Sequence, residues 1–177
     1  MHVSLEDWLA ELDQYASRIP LNVLLNGLKH PRLDLASLEP FVEFSPERYR
    51  RNLMHAGPAY HALILCWRPG QSSPIHDHRG SACAVRVISG EATETVFHMT
   101  DEGRIFPVRT RKLSEGYMCA TQDLDIHQLS NFQPTANLVT LHIYSPPLLV
   151  MGQYSMEDSI QREFNDEVHI LTEGAGI

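Results

Sequence analysis

Gly70-Gln-Ser-Ser-Pro-Ile-His76-Asp-His78-Arg-Gly-Ser-Ala-Cys83-Ala-Val-Arg-Val-Ile-Ser-Gly90 carries two histidines one residue apart and a cysteine five residues beyond the second. In an extended chain successive side chains alternate faces, so His76 and His78 point one way and Asp77 the other. Two neutral imidazoles converging on one spot make half a site for iron, zinc, copper or nickel. Cys83 has the parity of Val85 and Val87, which lets it face the barrel interior with them.

Around that stretch, short runs rich in Val, Ile, Thr and aromatic residues alternate with turn residues, at 49–54, 60–67, 83–89, 91–99, 104–112, 116–120, 126–130 and 136–144. Eight strands at this spacing predict a mainly β chain closed into a barrel or jelly roll. Ser89-Gly90 is expected to form a tight hairpin turn and Asp101-Glu102-Gly103 a longer one. Ahead of the strands the texture is helical. Leu5, Trp8, Leu9, Leu12 and Ala16 recur at helical spacing behind Ser4 as N-cap, with acidic residues in the first turn. A second short helix is expected after Pro20 and a third over 33–38, with Pro31 and Pro40 as breaks. No repeat or linker divides the chain. It is read as one domain of 177 residues: a helical segment over 1–40 packed on the barrel, a barrel core over 45–145, and a C-terminal extension over 146–177 that adds edge strands.

With 14 Lys and Arg against 22 Asp and Glu, the formal net charge is −8, which argues against a nucleic-acid partner. Cys66, Cys83 and Cys119 cannot all pair within the chain and form no Cys-x-x-Cys clip, so a reducing compartment is expected. The first residues are acidic and lack a signal-peptide pattern, and no apolar stretch is long enough to span a bilayer. These features predict a cytoplasmic protein with no membrane partner; the oligomeric state stays open, with a monomer as the default.

In its spacing the opening segment resembles the first cupin motif, with Cys83 where most cupins carry a glutamate ligand. Gly116-Tyr-Met-Cys-Ala-Thr-Gln122-Asp-Leu124-Asp-Ile-His127-Gln-Leu-Ser-Asn131 resembles the second, although Gln122 and Leu124 replace its usual proline and glycine. The resemblance implies a cupin double-stranded β-helix with His76, His78 and His127 as metal ligands at its mouth. Without a carboxylate ligand a ferrous ion keeps its full 2+ charge, which an anionic substrate can compensate. Three facial imidazoles also leave three of six octahedral positions, room for a thiolate, an amine and dioxygen.

A narrower resemblance rests on five strings in order: Arg51-Asn-Leu, Leu63-Ile-Leu-Cys-Trp67, Ile75-His-Asp-His78, residues 91–97, and Leu141-His-Ile-Tyr-Ser-Pro-Pro147. Together they are similar to the cysteine dioxygenase family. The resemblance implies Fe(II) as cofactor, a small-molecule thiol and O2 as partners, and oxidation of L-cysteine to cysteine sulfinic acid, a step of cysteine catabolism. It implies that Arg51 pairs with the substrate carboxylate, with Tyr49 on the same face. It also implies a relay of Thr140, His142 and Tyr144, with threonine in place of the family's serine. Cys83 matches the cysteine that in animal members forms a thioether bond to the tyrosine at Tyr144; its other reading is a small buried hydrophobe. The alternatives are oxidation of 3-mercaptopropionate or another small thiol, a non-catalytic metal- or ligand-binding cupin, and a zinc or nickel isomerase. The 3-mercaptopropionate branch commonly carries glutamine in place of the arginine, so Arg51 favours cysteine.

Overall fold

Alternating side chains give each strand one face for a shared interior, and the computed structural model, which describes residues 4–29, 33–122 and 126–171, stacks two antiparallel sheets around that interior. The strands are β1 (Arg50–Gly57), β2 (Tyr60–Trp67), β3 (Ile75–His76), β4 (Ala82–Ser89), β5 (Glu91–Met99), β6 (Ile105–Ser114), β7 (Met118–Thr121), β8 (Ile126–Ser130), β9 (Leu138–Ser145), β10 (Met151–Tyr154) and β11 (Arg162–Phe164). One sheet runs β1-β2-β9-β4-β7 and the other β11-β10-β3-β8-β5-β6. The expected barrel is present, and all eight expected strands occur with small changes at their ends.

The helices explain why β9 reads as an unbroken apolar run. Its inner face meets the barrel interior, where Leu63, Leu65, Val85, Val87 and Leu129 pack together. Its outer face carries Leu141 and Ile143, covered by Trp8, Leu9, Leu12, Leu24 and Leu28 from the helical segment, so every residue of β9 is buried. Helix α1 (Leu5–Leu12) starts as expected: the Ser4 hydroxyl accepts from the Asp7 N–H, and the Asp7 carboxylate accepts from the Ser4 N–H. It stops short of Ala16 because Asp13, just past its end, is tied to the barrel by His55 and Tyr60. Helices α2 (Leu21–Gly27) and α3 (Leu35–Leu38) follow, and Pro40 sits inside a 3-10 turn (Glu39–Phe41) instead of ending the helical region. No described helix is long and apolar enough to cross a membrane.

Two expectations are corrected. Ser89-Gly90 makes no hairpin: β4 pairs with β7 and β9, whereas β5 pairs with β6 and β8, so the chain changes sheets at Gly90. Gly90 has φ +88°, and a Cβ there would lie 2.6 Å from the Asn137 carbonyl oxygen, which is why a glycine sits at this crossing. The expected turn at Asp101-Glu102-Gly103 does join a hairpin, β5 to β6. The barrel core also continues past residue 145, because β3 is only two residues long and takes β10 as its second neighbour, with β11 outside it.

Asp77 fastens that late addition. Its carboxylate accepts from the backbone N–H of Gly152 (3.0 Å) and of Arg79 (3.1 Å) and from the Tyr154 hydroxyl (2.6 Å), while its own N–H donates to the Gly152 carbonyl (3.1 Å). A Cβ on Gly152 would approach both Asp77 carboxylate oxygens to 2.8 Å. Gly152→Ala is therefore expected to lower stability by about 1–3 kcal/mol, the cost of breaking hydrogen bonds to a buried acceptor. An unchanged urea midpoint would show that the Asp77 clasp is slack.

Candidate functional site

The three histidines expected to bind a metal come together at β3 and its neighbour β8. His76 ends that strand and sits directly across from His127 of β8, and His78 follows in the turn after β3. All three rings are buried, and one ligand nitrogen from each lies within 4.8 Å of the others. The Nε2 atoms of His78 and His127 are 3.2 Å apart. Nitrogens bound at right angles to one ion at about 2.1 Å would be about 3 Å apart, so the spacing suits a shared cation.

The backs of two rings are fixed. His76 Nδ1 is 2.9 Å from the Pro74 carbonyl, which can only accept, so this nitrogen carries the proton and Nε2 is bare toward the site. His127 Nδ1 donates to Glu94 at 3.2 Å, and Arg111, opposite Glu94 on β6, donates to the same carboxylate at 2.5 Å. Burial alone would raise the Glu94 carboxyl, but hydrogen bonds from His127 and Arg111 outweigh it and hold it down at about 2. Burial, then repulsion by His127, pushes His76 down to about 3 and His78 well below its usual value, so both offer neutral nitrogens. Among the described residues no carboxylate joins the cluster: Glu94 is spent behind His127 and Asp77 faces away, toward β10. The donor set fits a divalent first-row ion bound by imidazole.

Beside the rings, β9 presents Thr140, His142 and Tyr144 on one face. His142 Nε2 is 3.0 Å from the Thr140 hydroxyl and Nδ1 is 3.0 Å from the Tyr144 hydroxyl. Burial, then Arg51, pushes His142 down to about 3, which keeps the relay uncharged. Cys83 is the direct partner of Tyr144 across the β4·β9 ladder. Burial drives both groups well above their ordinary values, so thiol and phenol stay protonated.

Arg51 and Tyr49 complete the pocket wall from β1 and the residue before it. The Arg51 guanidinium is buried, lies 5.8 Å from the Tyr144 ring centroid, and donates to the Asp166 backbone carbonyl at 2.8 Å. Tyr49 stacks on Trp67 at 4.2 Å between ring centroids, and its hydroxyl donates to the Asp166 carboxylate, which Arg48 also holds. A cavity lined by Tyr49, Arg51, Trp67, His76, His127, His142 and Tyr144 joins these groups. Of the site residues expected from the sequence, Tyr49, Arg51, His76, His127, His142 and Tyr144 line this cavity, whereas His78 and Cys83 line a neighbouring one that His127 also borders, and Thr140 lies behind His142.

Residues 31–157 match the sequence model of cysteine dioxygenase type I. The chain is 32% identical to cysteine dioxygenase type 1 of Danio rerio over 151 residues, which cover 81% of this chain and 75% of that protein. It is 34% identical over 111 residues to the proteins of that name from Rattus norvegicus and Homo sapiens, covering 60% of this chain and 56% of each of them. The chain belongs to the cysteine dioxygenase type I family. Among solved structures, a Thermus thermophilus protein aligns with TM-score 0.52 at 17% identity over 62% of this chain and 94% of that one. A Klebsiella pneumoniae protein with a double-stranded β-helix domain aligns with TM-score 0.52 at 17% identity over 67% and 94%. These two likenesses bear on the fold alone and agree with the cupin expectation.

Sequence reasoning missed Glu94, Arg111 and Asp166. Glu94 left a signal: it has the parity of the inward-facing Ala92, where a lone acid needs a partner. Asp166 left none, since it sits in a stretch without clear alternation.

If Glu94 orients His127, Glu94→Ala weakens zinc binding about 10- to 100-fold in a chelator competition, with a smaller loss for Glu94→Gln, which still accepts a hydrogen bond. A second expectation concerns pH. The unfolded chain protonates His76 and His142 near their ordinary value of 6.5, while the folded metal-free chain holds these protons off until about 3. The unfolded state therefore binds more protons between those limits, and stability falls as pH drops through that window. A urea midpoint that stays constant from pH 7 to pH 5 would contradict this.

Proposed function

We propose that this protein is an Fe(II)-dependent thiol dioxygenase that adds both atoms of O2 to the sulfur of L-cysteine, giving cysteine sulfinic acid. The observation that carries the reading is a cluster of three buried histidines, with no carboxylate in it among the described residues, two of which share a cavity with the buried Arg51 guanidinium. Family membership supports it. Iron, when bound, supplies the redox chemistry that lets dioxygen react with a thiol. A substrate carrying a thiolate and a carboxylate provides the negative charge that the ligand set lacks and that Arg51 calls for.

The protein's own part is placement and proton control. Arg51 takes the substrate carboxylate through parallel N–H donors, fixing the amino acid before it reacts. Its place above the Tyr144 ring puts that carboxylate next to the relay. Tyr144, protonated and backed by His142, donates a hydrogen bond to the ligand assembly. Cys83, opposite Tyr144 on the neighbouring strand, would form the thioether, which the strand register supports. Closing it removes the thiol hydrogen and one ring hydrogen, with the two electrons passing to dioxygen. The unpaired cysteines suit the same reducing, cytoplasmic setting in which free L-cysteine persists.

The test is oxygen uptake by the Fe(II)-loaded protein with L-cysteine, 3-mercaptopropionate and cysteamine, with product masses recorded. L-cysteine is expected to be the best substrate and to gain two oxygen atoms. Absence of thiol-dependent uptake with iron bound would remove the enzyme reading, and faster use of 3-mercaptopropionate would reassign the substrate. Arg51→Gln should raise KM for L-cysteine about 10- to 100-fold, the worth of hydrogen bonds to a charged group. It should leave cysteamine, which has no carboxylate, much less affected; equal changes would take Arg51 off the substrate.

A further inference from the structure

The relay on β9 continues one residue beyond the set expected from the sequence. Trp67, the last residue of β2, is 1% exposed, and its indole Nε1 lies 3.1 Å from the Thr140 hydroxyl. From there the chain of hydrogen bonds runs through His142 to Tyr144, which faces Cys83 across the ladder. Each middle member can donate or accept, so distances alone do not say which way the protons point.

An indole N–H can only donate. Thr140 Oγ therefore accepts from Trp67. Its own proton needs an acceptor, and its other hydrogen-bonding side-chain partner among the described residues is His142 Nε2. Thr140 is fully buried, so leaving that proton without a partner would cost about 1–3 kcal/mol. Donation to Nε2 makes this nitrogen bare, and a neutral ring must then carry its proton on Nδ1. Nδ1–H donates to the Tyr144 oxygen, and the Tyr144 O–H is left to point onward. The reverse order would put two N–H donors on Thr140 and strand its hydroxyl proton.

We propose that Trp67 is a positioning residue: its indole N–H sets the direction of the hydrogen bonds through Thr140 and His142, so that the Tyr144 O–H points into the site. The catalytic use of that proton rests on the thiol dioxygenase reading; its direction does not.

The direct test is the His142 tautomer, read from long-range proton–nitrogen correlations of the 15N-histidine-labelled full chain loaded with Zn2+, which is closed-shell and redox-inert. The wild-type chain is expected to show the Nδ1–H form alone. Trp67→Phe, which keeps a ring against Tyr49, is expected to show both forms, and Thr140→Ser with Trp67 intact, which keeps the hydroxyl, to retain the wild-type pattern. An Nε2–H tautomer in the wild type overturns the proposal even if Trp67→Phe fails to fold, and so does an unchanged Nδ1–H signal in folded Trp67→Phe. In turnover, Trp67→Phe is expected to lower kcat about tenfold with little change in KM, a loss of about 1.4 kcal/mol. Adding it to Thr140→Val should lower kcat no further, since the indole then has nothing to act through; additive losses overturn the proposal. A wild type that oxidises no thiol would remove the proposed function while the tautomer result stood.

Discussion

Three imidazoles crowd together close to a buried guanidinium, which requires His76 and His78 to stay uncharged, and much of the surrounding structure follows from that requirement. Burial holds off the protons. The Pro74 carbonyl and the Glu94 carboxylate then decide which nitrogen of His76 and His127 keeps its hydrogen, turning the bare nitrogens inward. Glu94 in turn needs Arg111, because an unpaired carboxylate at that depth would take a proton and stop accepting from His127.

The sheet architecture makes this arrangement stiff. His76 and His127 face each other across one ladder, and Cys83 and Tyr144 across another. Each pair is fixed by strand register, so a slip of one residue would turn all four side chains away from the pocket. Arg51, Thr140, His142 and Tyr144 sit on the five-stranded sheet, and His76, His78 and His127 lie on or beside the six-stranded one. The cavity is therefore the seam between the two layers, where substrate and metal would each be held by a different sheet.

Much of this was legible in the sequence because a strand repeats every two residues. Parity alone put His76 with His78, Cys83 with Val85, and Thr140 with His142 and Tyr144. Parity does not say which strands pair, and so Ser89-Gly90 looks like a hairpin although the chain there changes sheets. Two-residue β3 and the widely spaced β10 and β11 are too short for alternation to register. Glu94, Trp67 and Asp166 act through contacts between strands or between distant segments, and their roles depend on pairings that no local pattern encodes.

Asp166 also bears on the order in which the molecule is made. Synthesis runs from the N-terminus, so His76, His78 and His127 leave the ribosome before the segment that reaches back to β1. That segment seats Asp166 against Tyr49 and Arg51, and His169 exchanges backbone hydrogen bonds with Arg51 and Leu53. The Arg51 end of the pocket is thus finished last. A nascent chain stopped short of Asp166 already carries His76, His78 and His127, beside a guanidinium whose covering wall has yet to be translated.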